Sequence, residues 1–238
     1  MQSVPVRLTA VTFDARDPAR VAAFWAGALG RDSVEHAGGL LLPGSPGQLG
    51  LRFAASAAPK MRQNPVHLHL TSASADDQAA TVARLLDLGG RHVDVGQLPD
   101  EEHVVLADPE GNELCVIEPG NTFLAGTGFL GELTCEGTRE VGLFWAAALG
   151  WPLVWDSDEE TAVQAPGGGT KVSWGGEPIA DQRATDRQRL ELAVDRDALA
   201  DEVARLTTLG ARELRRPENG QVELADPDGH VFVVRVEG

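Results

Sequence analysis

One device occurs twice in this chain. Val104 to Ile117 consists of an apolar run, the turn Asp108-Pro109-Glu110-Gly111-Asn112, and a second apolar run ending Cys115-Val116-Ile117. Near the C-terminus, Val222 to Ala225 leads into Asp226-Pro227-Asp228-Gly229, and Phe232-Val233-Val234 follows. Asp accepts hydrogen bonds at the first position of such a turn, Pro presets the second, and Gly relieves the fourth. Val, Leu and Ile on either side favour paired strands, so each copy reads as a hairpin. Turn chemistry explains either copy but not their surroundings. Phe24-Trp25 and Gly30 match Phe144-Trp145 and Gly150 at a shift of 120, Gly89 matches Gly210 at 121, and Asp108-Pro109 matches Asp226-Pro227 at 118. Near-constant offsets along the whole sequence mean a duplicated chain with a period of about 120 residues.

Each copy has internal order. Leu8 to Phe13 is a β-leaning run, and Asp17-Pro18 then opens a helix whose apolar stripe is Val21, Phe24, Trp25 and Leu29, closed by Gly30. Leu40 to Leu42 and Leu49 to Phe53 read as strands around a turn rich in Gly, Pro and Ser. Val66 to Thr71 begins the pattern again, with Asp76 or Asp77 as helix cap and Val82, Leu85, Leu86 and Leu88 as the apolar face. His92 to Val95 and the hairpin complete it. Two strand-helix-strands units per half make four in all. Glu118 to Gly128, with Pro119 and several glycines, separates the halves, so the expected domains are 1–120 and 129–238 with a linker at 121–128.

Composition narrows the function. A formal net charge of −16 and a pI near 4.7 argue against nucleic acid, whose binding draws on clustered Lys and Arg. No apolar run approaches the roughly 18 residues of a membrane span, and no basic-then-apolar leader opens the sequence, so a cytoplasmic protein without a membrane partner is expected. Cys115 and Cys135 lie in apparent strands without a spaced framework, which excludes a disulfide scaffold.

The helix ending Phe24-Trp25 and Leu29-Gly30, the later Ala83-Arg84-Leu85 and Leu88-Gly89, and Asp108-Pro109-Glu110-Gly111-Asn112-Glu113 carry a resemblance. They resemble the glyoxalase/bleomycin-resistance/dioxygenase superfamily, the vicinal oxygen chelate fold, over nearly the whole chain as two tandem domains. The resemblance implies an α+β protein in which each domain is a pair of βαβββ modules forming a curved, cup-shaped mixed sheet. Such a cup holds either a metal with substrate or a sequestered drug. It also implies four strand positions for His or Glu ligands. In the first half these fall at Ala10, at His67 or His69, at Cys115, and in Leu49 to Phe53, where only Arg52 offers a polar atom. In the second half they fall at Leu130, at Arg189 or Glu191, at Val233, and at Lys171 or Ser173. The family's usual metal site is therefore expected to be missing from both halves.

What remains is His67-Leu68-His69 with Cys115. Residues two apart on a strand face one way, so both imidazoles point to one side and a neighbouring Cys would complete a soft site for zinc. The plainer reading is two histidines hydrogen-bonded on a sheet face with Cys115 as a small buried hydrophobe. Glu113 and Glu118 are an odd number apart and do not form an acid-base pair on a strand. Gly167-Gly168-Gly169 lacks a following Lys-Ser/Thr step and reads as a hairpin tip, not a phosphate loop.

Aromatic residues suggest where a ligand sits. Trp25 and Trp145 occupy equivalent positions, as core residues of a duplicated fold would. Trp151, Trp155 and Trp174 have no counterparts, Arg31, Glu35 and Ala54 standing in their places, and Trp151 and Trp155 are expected to share a strand face. Gln164, Lys171 and Arg189 supply polar groups on strands of the same half. Two functions follow. The first is a protein that binds a small organic molecule, aromatic ones included, without cofactor, in the second-half cup lined by Trp155 and Trp174. The second is a lyase, isomerase or dioxygenase with one divalent metal such as zinc at His67, His69 and Cys115. The sequence leaves open whether the chain is an enzyme, and whether it is a monomer or a homodimer.

Overall fold

The computed structural model describes residues 6–98, 100–176, 187–217 and 220–237. Its elements form four units. The first comprises β1 (Arg7–Ala15), α1 (Pro18–Leu29), β2 (Val34–His36), β3 (Gly39–Leu42) and β4 (Gly50–Ala55). The second comprises β5 (Val66–Leu70), α2 (Ala75–Asp87), β6 (Arg91–His92), β7 (Val104–Ala107) and β8 (Glu113–Val116). In the second half β9 (Leu130–Glu136), α3 (Arg139–Leu149), β10 (Leu153–Ser157), β11 (Glu160–Val163) and β12 (Lys171–Gly175) form the third. The fourth is β13 (Gln188–Val194), a 3-10 turn at Arg196–Ala198, α4 (Leu199–Leu209), β14 (Arg212–Arg215), β15 (Gln221–Ala225) and β16 (Val231–Val236).

Helix ends follow the sequence closely. Asp17 Oδ1 accepts from the Arg20 amide at 3.0 Å, and Gly30 takes the left-handed conformation that closes α1. In α2 the cap is Ser74 rather than Asp76 or Asp77. Its hydroxyl accepts from the Asp77 amide at 3.1 Å, while Asp76 and Asp77 lie inside the first turn, where negative charge suits the helix dipole.

The units pair into two open, mixed, eight-stranded sheets. Sheet I runs β14-β15-β16-β13-β1-β4-β3-β2 and sheet II runs β10-β11-β12-β9-β5-β8-β7-β6. The expected paired βαβββ modules are there, and the partners come from opposite halves: the first unit pairs with the fourth, and the second with the third. The seams are antiparallel, β1 against β13 and β5 against β9, whereas β1–β4, β5–β8, β9–β12 and β13–β16 are parallel.

The halves are stitched the other way, between sheets. Trp25 on α1 of sheet I donates its indole N–H to Asp108 Oδ2 in the β7–β8 turn of sheet II at 3.1 Å. Trp145 on α3 of sheet II donates to Asp226 Oδ2 in the β15–β16 turn of sheet I at 3.2 Å. Both turns also close internally: Asp108 Oδ1 accepts from the Glu110 and Asn112 amides, and the Gly111 amide bonds the Asp108 carbonyl. Burial raises the pKa of Asp108, partly countered by its bonds to Asn112 and Trp25. One hydrophobic core, including Trp25, Phe53, Leu68, Leu133, Trp145 and Phe232, runs through both sheets and helices.

Candidate functional site

Sheet II carries a cavity of about 600 Å³ on the face away from its helices. The pattern of β5 makes that face: Val66, Leu68 and Leu70 are buried against the core, and His67 and His69 alternate with them toward the cavity. Cys115 on β8 lies beside His69 in the parallel ladder, backed by a small cluster of Val105, Ile117 and Leu124. Ligand atoms of His67, His69 and Cys115 all lie within 4.8 Å of one another. The His67 and His69 rings are 5.2 Å apart.

A fourth member comes from the other half. Glu132 on β9 stands opposite His69 across the seam, and its carboxylate lies 2.7 Å from His69 Nδ1. Ala10 stands opposite Glu191 in the matching ladder of sheet I. The counterpart of Ala10 is therefore Glu132, not Leu130. Both seams carry a bulge, at Leu8/Ala10 and at His69/Leu70, and on these strands the repeats align at an offset of 122, not the 120 of the helices. The available signal was a Glu between Gly131 and Leu133 in a strand-like run, and the structure leaves it only 5% exposed.

The electrostatics follow from burial and neighbours. Burial pulls the His67 pKa down to about 3, and the charge on His69 adds to this, so His67 is neutral at ordinary pH. Burial also disfavours charge on His69, but hydrogen bonds with Cys115 and Glu132 and the Glu132 charge outweigh it and lift its pKa to about 10. Glu132 is pushed up by burial and brought below the usual carboxylate range by His69 and Ser173.

The aromatic candidates separate. Trp155 on β10 is 45% exposed and lines the cavity, meeting Phe123 edge to face at 5.9 Å. Trp174 touches the cavity wall, but its indole is buried under α3, stacked on Trp145 at 6.0 Å and 7°. Trp151 does not share a strand face with Trp155. It precedes Pro152 outside β10, and packs with Leu8, Leu49 and Val172 around a separate cavity of about 130 Å³. Lys171 Nζ donates to the Phe123 carbonyl and lies 4.2 Å from the Phe123 ring centroid. Gln164 is spent within its own hairpin, donating to the Gly169 carbonyl at 2.8 Å. Arg189 belongs to sheet I, where it pairs with Asp14 at 2.6 Å.

At the corresponding strands of sheet I the polar groups are bound to one another. Glu191 receives Thr12, both Nε contacts of Arg52 at 2.8 and 2.9 Å, and Arg235 at 3.2 Å. Phe123, which no sequence pattern marks, and His103, which sits near a strand end without a partner pattern in the sequence, also face the sheet II cavity. Phe123 lies in the segment between the halves, where no periodicity indicates a direction.

The family model for a glyoxalase-like domain matches the chain twice, over residues 10–117 and 132–235. Among solved structures, glyoxalase I from Zea mays superposes with a TM-score of 0.66 at 15% identity, over 96% of this chain and 92% of that one. A candidate dioxygenase from Bacillus subtilis superposes with a TM-score of 0.63 at 15% identity, over 98% and 86%. Likeness at this identity is one of fold. No curated protein matches the sequence.

Proposed function

Because both halves of this chain belong to the glyoxalase-like domain family, we propose that it takes a small organic molecule into the sheet II cavity over a divalent metal held by His67, His69 and Cys115. The observation that carries this is the convergence of the three donors within 4.8 Å in a cavity of about 600 Å³. Their chemistry fits the ion: two imidazoles and a thiolate suit zinc, and three protein ligands leave a position for a ligand atom. His67 is already neutral, as a ligand must be. Glu132 engages His69 at Nδ1 and so leaves Nε2 for the ion, the carboxylate-histidine arrangement that orients ligating imidazoles. When bound, the metal supplies Lewis acidity toward an oxygen of the ligand. Trp155 and Phe123 give that ligand an aromatic surface, and Glu132 holds the proton on His69 Nδ1.

A second reading is a metal-independent binding protein. It is favoured by the way the cluster closes on itself, with His69 bonded to both Glu132 and Cys115.

Metal analysis of protein purified without a His tag separates the two. The expected result is about one zinc per chain, lost in His67→Ala and Cys115→Ser variants that keep wild-type circular dichroism, and bound about 10–100-fold more weakly in Glu132→Gln. Wild-type protein that stays metal-free after incubation with zinc and dialysis sinks the metal reading and leaves the second.

A further inference from the structure

Carboxylates outnumber the cationic groups around the cavity. Glu118, Glu132, Glu136 and Glu160 line it, and among the described residues no Lys or Arg does. Glu132 is matched by His69, and Glu136 by Arg62 at 3.1 Å. Glu118 accepts from the neutral Asn121 amide at 2.8 Å, and among the described residues no cation pairs with Glu118 or Glu160. The other wall is aromatic. Phe123 comes from the segment between the halves, latched by Lys171, whose ammonium already rests against that ring. Trp155 presents an indole that is 45% exposed. An indole face is the best aromatic surface for a cation, and unpaired carboxylates near it favour the same charge. The chain's net charge of −16 draws cations toward the mouth and repels anions.

We propose that the ligand of this cavity is a flat aromatic molecule bearing a positively charged amine, with its ring against Trp155 and Phe123 and its ammonium toward Glu118 and Glu160. This rests on the reading of the cavity as the ligand site, though not on which metal it holds. It also makes the segment between the halves part of the binding site, where it would otherwise be only a connector.

Matched probes test it: 2-naphthylmethylamine as the cation and 2-naphthoate as the anion, titrated by calorimetry. At about 20 mM salt the amine should bind about tenfold or more tighter than the carboxylate, and the gap should shrink at about 300 mM as screening sets in. Trp155→Leu should weaken both probes. A Glu118→Gln, Glu160→Gln double variant, altered only at surface-accessible carboxylates, should weaken the amine about fivefold and spare or improve the carboxylate. Equal or tighter binding of 2-naphthoate by wild type overturns the proposal, as does amine binding unchanged in both variants. Zinc measured on the same preparations keeps the readings apart: zinc retained with naphthoate preferred defeats this inference alone, and amine preferred without zinc defeats the metal alone.

Discussion

Glu191 shows how a single carboxylate can set the pH response of a fold. Burial pushes its pKa up, but the Thr12 hydroxyl and the charges of Arg235 and Arg52 outweigh this and hold it below the ordinary 4.5. A group depressed on folding adds stability above its unfolded pKa and loses that contribution as the pH falls through the lower folded value. The loss should therefore begin below about pH 4.5. Glu191→Gln strands Arg52, itself 3% exposed, without its anion. Urea unfolding should show the variant less stable by about 3–5 kcal/mol at pH 7, with the difference narrowing as the pH falls below about 4.5 toward protonation of wild-type Glu191. A difference that stays constant with pH would mean the carboxylate's charge is not what matters there. On the same footing, Trp25→Phe leaves Asp108 Oδ2 with only the Asn112 amide and should cost about 2 kcal/mol or more, read as a lower midpoint in urea.

Elements meet at points that only glycine permits. The β11–β12 hairpin tip crosses the loop between β3 and β4, with the Thr170 amide bonding the Gly47 carbonyl at 2.8 Å. Gly169 has φ +100°, and a Cβ there would lie 2.0 Å from the Gly47 carbonyl oxygen. Gly167, in the same tip, has nothing within 4 Å of its would-be Cβ. Gly169→Ala should therefore lower the thermal midpoint by several degrees, roughly 2 kcal/mol or more, while Gly167→Ala stays within about 0.5 kcal/mol of wild type. Similar losses at both would show that the tip's flexibility, not the crossing, is what glycine supplies. The cap of α2 is legible in hindsight: Ser74 precedes two acidic residues that serve the helix dipole, and Asp at either position mimics a cap when only the sequence is read.

At the scale of the molecule, the two sequence repeats are not separable in the strand ladder. Each half supplies one β-strand edge to each seam, β1 and β5 from the first, β9 and β13 from the second. Cutting between them exposes two unpaired edges on each half and the apolar faces beneath. Fragments 1–120 and 129–238 expressed singly should fail to give folded monomers. Mixed or co-expressed, they should recover native circular dichroism and sediment as a one-to-one complex. A folded, monomeric half in analytical ultracentrifugation would refute this.

The sequence by itself determined the duplication, the four strand-helix-strands units, the Asp-Pro turns and the facing of His67 and His69. Each of these is written in local chemistry: a repeat offset, a proline, a cap, a two-residue alternation. It also brought Cys115 forward as their companion. Only the tertiary structure decided which modules share a sheet. Strand pairing is made by backbone groups that every residue carries, so the edge β5 will choose is not spelled out in its side chains. That choice places Glu132 opposite His69. It also puts His67 of the first half in one cavity with Trp155 of the second, so that two groups of candidate residues that the sequence kept apart line the same cavity. The same choice removes Arg189 to the other sheet. Burial beneath α3 turns Trp174 from a ligand platform into a core residue, because helix packing fills whichever face of a strand is apolar, and periodicity alone does not say which face the ligand will find.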